Sequence, residues 1–288
     1  MNDYILSVIL GIVEGLTEFL PVSSTAHLRI AEALMHIPMD DAYWKMYTIV
    51  IQLGAILALC VLFMGRIVEF MRTFPKGENG DRTWLNHPIS LTLIAFAVTS
   101  GPALLLHKWS EKNLGSIKVM ALALLIGGIV MWIVDAWAVR HESKTQDVEQ
   151  MTFWQAVWIG ACQTLSAVFP GTSRSMSTIA AGQLAGLTRP AALEFSFLLS
   201  IPTMIAATIW DLAKELHPGH GVAAHVVMNQ QNWIVLIIGV VVSFIVALGV
   251  VEWFLIWVRR HGFVLFAVYR IILAVVLLVY GSRFIPSN

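Results

Sequence analysis

Apolar residues run without a break over about six stretches of the chain. Each stretch is long enough to cross the hydrocarbon core of a bilayer, roughly 30 Å, as one helix. The stretches lie near residues 45–64, 88–107, 117–138, 191–212, 233–256 and 263–281. The pattern predicts an all-α integral membrane protein with about six transmembrane helices, folded as a single polytopic domain over residues 1–288.

Two further apolar segments, residues 3–36 and 153–186, are interrupted near their middle. The interruptions read PVSST (21–25) and PGTS (170–173). Proline removes a backbone donor and disfavours helix at the residue before it, whereas serine and threonine cap a new helix. Each segment is therefore predicted to form a re-entrant helical hairpin. A kinked helix that crosses the membrane completely is the alternative.

The two interrupted segments look like copies of one unit. GIVEGLTEFLPVSST (11–25) aligns without gaps over GACQTLSAVFPGTSR (160–174), and Glu14 then faces Gln163. If three complete crossings separate the copies, residues 1–138 and 150–288 form an inverted repeat whose breaks meet near the midplane. Irregular backbone at that depth must be buried in protein or line a cavity. A functional site is predicted where the breaks meet.

The distribution of basic residues predicts the orientation. The richer side carries Arg66, Arg72, Lys76, Arg82, Arg140, Lys144, Arg189, Arg259 and Arg260. The other side carries Lys45, Lys108, Lys112, Lys118, Lys214 and Arg283. Because the richer side normally faces the cytoplasm, both termini are predicted to lie outside.

Composition refines the class of protein. Charged residues make up 12% of the chain, about half the share of a typical soluble domain. The formal net charge is zero, so no nucleic-acid partner is expected. The sequence has no G-x-x-x-x-G-K-[ST] and no H-E-x-x-H motif, which argues against ATP-driven transport and against that class of zinc protease.

Glu14 and Glu18 are the first candidates for chemistry. Four residues apart on a helix, they share one face, and two adjacent carboxylates in lipid need a cation, a proton or an arginine. A divalent metal ion held by both carboxylates and by substrate phosphate oxygens would satisfy them. A water-filled vestibule is the alternative explanation.

The residues after Pro21 supply hydroxyl groups, a helix start and an imidazole. Ser23, Ser24 and Thr25 can bind an anion together with the free N–H groups of the helix start. Ser24 and His27 are three apart, so they could form a nucleophile and its base.

The second break carries an arginine beside several hydroxyl groups. Arg174 in an apolar setting needs an anion, and its guanidinium suits a phosphate or a salt bridge to Glu14 or Glu18. The candidate substrate-binding residues here are Gly171, Thr172, Ser173, Ser175 and Thr178. Gln52, Glu194 and Arg270 are expected to support the site.

Four segments resemble a known family: EGLTEFLPVSSTAHL (14–28), VIQLGAILA (50–58), PGTSRSMST (170–178) and EFSFLLSIP (194–202). They are similar to the undecaprenyl-diphosphate phosphatases, also called bacitracin-resistance proteins, over nearly the whole chain. Glu14 and Glu18 match the family's acidic motif, Ser24 and His27 its hydroxyl and imidazole positions, and Ser173, Arg174 and Thr178 its second motif. Ala26 replaces the usual glycine.

The resemblance implies hydrolysis of undecaprenyl diphosphate to undecaprenyl phosphate and inorganic phosphate, which recycles the lipid carrier of peptidoglycan synthesis. It further implies Mg²⁺ or Ca²⁺ as cofactor, the bacterial inner membrane, and a site that opens to the periplasm. A homodimer is also allowed. The alternative function is a secondary transporter or flippase for a polyprenyl phosphate lipid, since broken helices in inverted repeats are typical of transporters.

Overall fold

The computed structural model describes residues 2–38, 41–77, 80, 82–113, 115–216 and 228–284. Across these ranges the chain is all-α, with eleven α-helices and a 3₁₀ turn at Val148–Gln150. The helices are α1 (Asp3–Thr17), α2 (Ser24–Leu34), α3 (Ala42–Leu62), α4 (Met64–Thr73), α5 (Pro88–Asn113), α6 (Ile117–Ala138), α7 (Phe153–Val168), α8 (Arg174–Leu184), α9 (Arg189–Leu216), α10 (Gln230–His261) and α11 (Val264–Phe284).

Six of these helices contain segments long and apolar enough to cross a membrane. The segments are Ala42–Leu62, Pro88–Ser110, Ile117–Ala138, Arg189–Ala213, Gln230–His261 and Val264–Gly281. The predicted all-α membrane fold with about six such helices is confirmed. The protein is a multi-pass membrane protein.

One boundary differs from the sequence prediction. The stretch predicted to end at residue 64 ends as helix α3 at Leu62, and α4 begins at Met64 after a turn at Phe63. Arg66 in α4 forms ion pairs with Glu69, Glu149 and Glu194. The change of direction at Phe63 brings the Arg66 guanidinium to these three carboxylates. Hydropathy alone does not reveal this boundary.

Both interrupted segments are broken near Pro21 and Pro170, as the sequence predicts. Helix α1 ends at Thr17 and α2 begins at Ser24, while α7 ends at Val168 and α8 begins at Arg174. The residues just before α2 and α8 are Ser23 and Ser173, which share an uncommon positive φ of 75° and 71°. That the two segments form re-entrant hairpins, and that these enter the membrane from opposite sides as an inverted repeat, stays a prediction.

The structure corrects the ungapped alignment by one residue beyond the prolines. That alignment placed Ser24 over Ser173, but the helices restart at Ser24 and at Arg174. Between its proline and the start of the next helix, the second break has one more residue than the first, because Gly171 and Thr172 stand where the first break has Val22 alone. Ser24 and Arg174 therefore hold equivalent positions at the start of their helices.

Equivalent close contacts hold the two broken segments in the bundle. Helix α1 packs on α10 and α7 packs on α5. Gly15 of α1 lies against the carbonyl of Ser243, and Gly160 of α7 lies against the carbonyl of Ala95. Small residues that allow backbones to approach are typical of packing in membranes, and here they fix the helices that carry the breaks.

Candidate functional site

The two breaks lie against each other. The Ser175 hydroxyl, in the first turn of α8, donates to the carbonyl of Leu20 at 3.0 Å. The guanidinium of Arg270 donates to the carbonyls of Pro21, at 3.2 Å, and Thr172, at 2.9 Å. Side chains of α8 and α11 thus join both irregular segments, so the first residues of α2 and α8 reach a common centre.

Glu18 occupies that centre. The Ser24 hydroxyl donates to its Oε2 at 2.5 Å, and Nη2 of Arg174 donates to its Oε1 at 3.1 Å. The Arg174 guanidinium also lies over the ring of Phe19, with Cζ 5.9 Å from the ring centroid. Two helix starts, which favour negative charge, therefore converge on one carboxylate.

Glu14 lies next to this centre and is completely buried. Its charge interacts with Glu18 and Arg174, yet neither of its carboxylate oxygens has a hydrogen-bond partner among the described residues. Nη1 of Arg174 is also buried, and it too has no hydrogen-bond partner among the residues that the structure describes. Buried polar atoms are normally satisfied, so unsatisfied acceptors beside an unsatisfied donor indicate a site for a ligand that carries both charges.

The two carboxylates fit a divalent cation, which could in turn bind the phosphate oxygens of a substrate. No group of three or more His, Cys, Asp or Glu residues surrounds a metal position in the described ranges. Glu14 and Glu18 would therefore supply two ligands, and oxygen atoms of substrate and water would supply the rest. Mg²⁺ is commonly bound in this way.

His27 does not pair with Ser24 as the spacing predicted. Its Nδ1 lies 2.7 Å from the carbonyl of Ser23, and its Nε2 lies 2.6 Å from the hydroxyl of Tyr269 on α11. A carbonyl accepts, so Nδ1 carries the proton, and the hydroxyl of Tyr269 donates to Nε2 when the ring is neutral. Ser24 turns back to Glu18 from the start of α2, whereas His27, about one turn further on, faces α11.

The other residues of the first break are arranged around these contacts. Ser23 is buried and provides the carbonyl for His27, without a capping bond from its own side chain. Thr25 is exposed. Ala26, at the position of the family's usual glycine, is buried in an apolar cluster with Met120 and Leu124, so its methyl group is accommodated by packing.

The second break divides into residues near the centre and residues that support it. The Ser173 hydroxyl accepts from the backbone N–H of Met176 and lies 3.1 Å from the Ser175 hydroxyl. Thr172 and Gly171 contribute carbonyls to Arg270. The Thr178 hydroxyl lies 2.7 Å from that of Ser196 on α9, so it faces a neighbouring helix. For Thr178 the structure favours a supporting role over the predicted contact with substrate.

Two residues were missed or undervalued by sequence reasoning. Tyr269 was not considered, and Arg270 was expected to be one support among several. Both belong to α11, a helix whose sequence is otherwise mostly apolar, as in an ordinary membrane-spanning helix. A charged residue inside such a span marks function by default, and that signal was available for Arg270.

The sequence matches the family described as bacitracin resistance protein BacA over residues 7–276. A protein named undecaprenyl-diphosphatase from Koribacter versatilis is 60% identical over 286 residues, which cover 98% of this chain and 100% of that protein. Proteins of the same name are 40% identical in Caldanaerobacter subterraneus, covering 96% of both chains, and 38% identical in Acinetobacter baumannii, covering 98% of this chain and 97% of that protein. The chain therefore belongs to the BacA family of bacitracin resistance proteins.

Proposed function

We propose that this membrane protein is an undecaprenyl-diphosphatase, which removes the terminal phosphate of undecaprenyl diphosphate and returns the monophosphate carrier to cell-wall synthesis. The observation that carries this proposal is the convergence of Ser24 and Arg174 on Glu18, beside the carboxylate of Glu14, which has no hydrogen-bond partner in the described part of the chain. Full-length relatives of the same name support the same activity.

The charges of the site suit a diphosphate bound with a metal ion. Nη1 of Arg174 and the N–H groups at the starts of α2 and α8 can bind phosphate oxygens. Glu14 and Glu18 would hold the divalent cation, which would offset the negative charge of the phosphates when bound. The apolar polyprenyl tail would remain among the membrane-spanning helices.

We assign Glu18 as the general base of the reaction. Its Oε2 accepts the proton of the Ser24 hydroxyl, and positioned acid–base groups contribute about 10²–10⁴-fold to a rate. The nucleophilic oxygen then bonds to the terminal phosphorus while the bond from phosphorus to the bridging oxygen breaks. Undecaprenyl phosphate leaves, and Arg174 stabilises the charge of the transferred group.

Two nucleophiles fit this geometry. If Ser24 attacks, a phosphoserine forms and water hydrolyses it in a second step. If a water molecule beside Ser24 attacks, inorganic phosphate forms directly. Acid-quenching the enzyme with diphosphate labelled in its terminal phosphate separates the two routes, since label retained at Ser24 requires the serine.

The place of the protein in the cell follows from the same proposal. The bacterial inner membrane, with both termini and the site opening to the periplasm, is supported by the distribution of basic residues and by the family's activity on a lipid carrier. A homodimer and the lack of a nucleic-acid partner stay predictions from the sequence.

The test is phosphate release by the purified protein in detergent, with farnesyl (C15) and undecaprenyl (C55) diphosphates. We expect release that needs Mg²⁺ or Ca²⁺ and stops with a chelator. Detergent removes any gradient, so a secondary transporter or flippase would release no phosphate. Absence of phosphate release with both substrates and both metals would overturn the proposal.

A further inference from the structure

Among the residues that the structure describes, Arg270 is the largest side chain that is completely buried, with 0% exposure. It makes no ion pair with any described carboxylate, and its guanidinium binds backbone carbonyls instead. Nη1 donates to Pro21, and Nη2 lies within 2.9–3.2 Å of the carbonyls of Ala123, Gly171 and Thr172. Both breaks and helix α6 thus meet on a single side chain of α11.

These hydrogen bonds satisfy backbone carbonyls that the breaks leave without helical partners. Where a helix is interrupted, carbonyls lose their partners along the chain, and inside a membrane protein water does not replace them freely. A guanidinium carries five donors in a rigid planar fork. Arg270 can therefore satisfy carbonyls from two segments at once, which a lysine ammonium, a single point of charge, does less well.

The bonded carbonyls lie next to the candidate catalytic groups in the chain. Pro21 is between Glu18 and Ser24, and Thr172 is two residues before Arg174. The separation of Glu18 from Arg174 therefore depends on how firmly Arg270 holds the two breaks together. Ser175, bound to the carbonyl of Leu20, is a second and weaker link across the same junction.

Helix α6 provides the space for this arrangement at Gly127. A Cβ atom at Gly127 would collide with Nη2 of Arg270 and, less severely, with the flexible end of the Met176 side chain. The glycine therefore lets the guanidinium approach α6 and bond to Ala123. A substitution at Gly127 can displace the guanidinium while leaving Arg270 itself in the chain.

We infer that Arg270 is a positioning residue, whose guanidinium holds the two broken helices in the register that brings Arg174 and Ser24 onto Glu18. The inference rests on the proposed phosphatase function. A misplacement of about 1 Å at a reacting centre costs on the order of 10²-fold in rate. Substitution of Arg270 should therefore lower kcat.

The test compares wild type with Arg270→Lys and Gly127→Ala in metal-dependent hydrolysis of farnesyl diphosphate, each with its melting temperature. We expect kcat to fall about 100-fold in Arg270→Lys and about tenfold in Gly127→Ala. The metal concentration for half-maximal activity should not change, because Glu14 and Glu18 belong to one segment. Gly249→Ala is the matched control, because a Cβ atom added there would meet no described atom within 4 Å outside its own helix backbone, and it should keep wild-type kcat.

The outcomes separate this inference from the proposed function. No phosphate release by wild type would defeat the function itself. With an active wild type, unchanged kcat in Arg270→Lys would overturn the positioning role. So would a lower melting temperature with wild-type kcat per folded molecule, which indicates structural support alone. If Arg270→Lys does not fold, Gly127→Ala decides: wild-type kcat there also overturns the inference.

Discussion

A carboxylate without a partner is costly inside a protein, and Glu14 buries beside Glu18 two oxygen atoms that lack a hydrogen-bond partner among the described residues. The charge is therefore explained by what it binds, which we propose to be a divalent cation and its phosphate ligand. The residue trades stability for function, as residues at active sites commonly do.

Glu14→Gln tests this trade. Removing the buried charge should raise the melting temperature in chelator by about 3 °C or more, since 1 kcal/mol shifts a chain of this size by roughly 2–4 °C. Activity should fall by several orders of magnitude, and added Mg²⁺ should no longer stabilise the protein. Thermal unfolding with and without metal is the measurement. A less stable variant that keeps its metal response would contradict the assignment.

At the scale of elements, the positions of the breaks could be predicted, since proline acts locally on its own backbone and on the residue before it. The register beyond the breaks could not. Whether α8 restarts at Ser173 or Arg174 depends on the extra residue between Pro170 and the start of α8, which an ungapped alignment cannot show. The same limit explains why Ser24 and His27 do not pair. Their spacing predicts a shared helix face, but it does not predict that Glu18 and Tyr269 lie beside that face and bind them instead.

Gly171 tests how tightly the second break is built. Its φ is +96°, and a Cβ atom there would lie 2.5 Å from the carbonyl oxygen of Met120. Gly171→Ala should therefore destabilise the protein by about 3 kcal/mol, measured as a lower melting temperature. Gly249→Ala, in the interior of α10, should instead stabilise it by up to about 1 kcal/mol. Equal effects of the two substitutions would contradict the described backbone.

His87, just before α5, gives the fold a dependence on pH. It is buried against Phe70 and Phe74, lies 3.3 Å from the Thr73 hydroxyl, and accepts from the backbone N–H of Ile89. Burial holds the pKa of His87 below its usual value of 6.5, and the charge of Arg82 acts in the same direction. The neutral ring is therefore the form that stabilises the start of α5.

The unfolded chain binds this proton at a higher pH than the folded chain does. The stability that neutral His87 contributes is thus complete above about pH 6.5 and decreases as the pH falls below it. Between about pH 7.5 and 5.5, the melting temperature of wild type should fall by about 2 °C more than that of His87→Gln, which keeps a donor and an acceptor. Parallel curves for the two proteins would show that His87 does not titrate on unfolding.

At the scale of the whole molecule, two broken segments with weak sequence similarity combine into one asymmetric centre. The first contributes both carboxylates, and the second contributes the arginine, with Gln163 where the first has Glu14. Two segments of similar sequence therefore need not give two sites. Family resemblance located the residues of this centre, but their contacts depend on α11, which no local pattern placed beside the breaks.

The orientation in the membrane, with both termini in the periplasm, is also a prediction about the whole molecule. Fusing an alkaline phosphatase or a fluorescent protein to the C terminus should give an active phosphatase and a dark fluorescent protein, as expected for a terminus in the periplasm. The opposite result would place the termini in the cytoplasm. It would also overturn the predicted opening of the site to the periplasm.

The most direct test of one hydrolytic centre shared by both breaks is single-turnover phosphate release from undecaprenyl diphosphate by wild type and Arg174→Ala. The control is Arg29→Ala, which breaks the ion pair of Arg29 with Glu32 on α2. We predict that Arg174→Ala slows release by about 10³-fold or more, while Arg29→Ala stays within a few-fold of wild type and all three proteins melt cooperatively. Release by folded Arg174→Ala at the wild-type rate would contradict the account, because the second break would then take no part in the reaction.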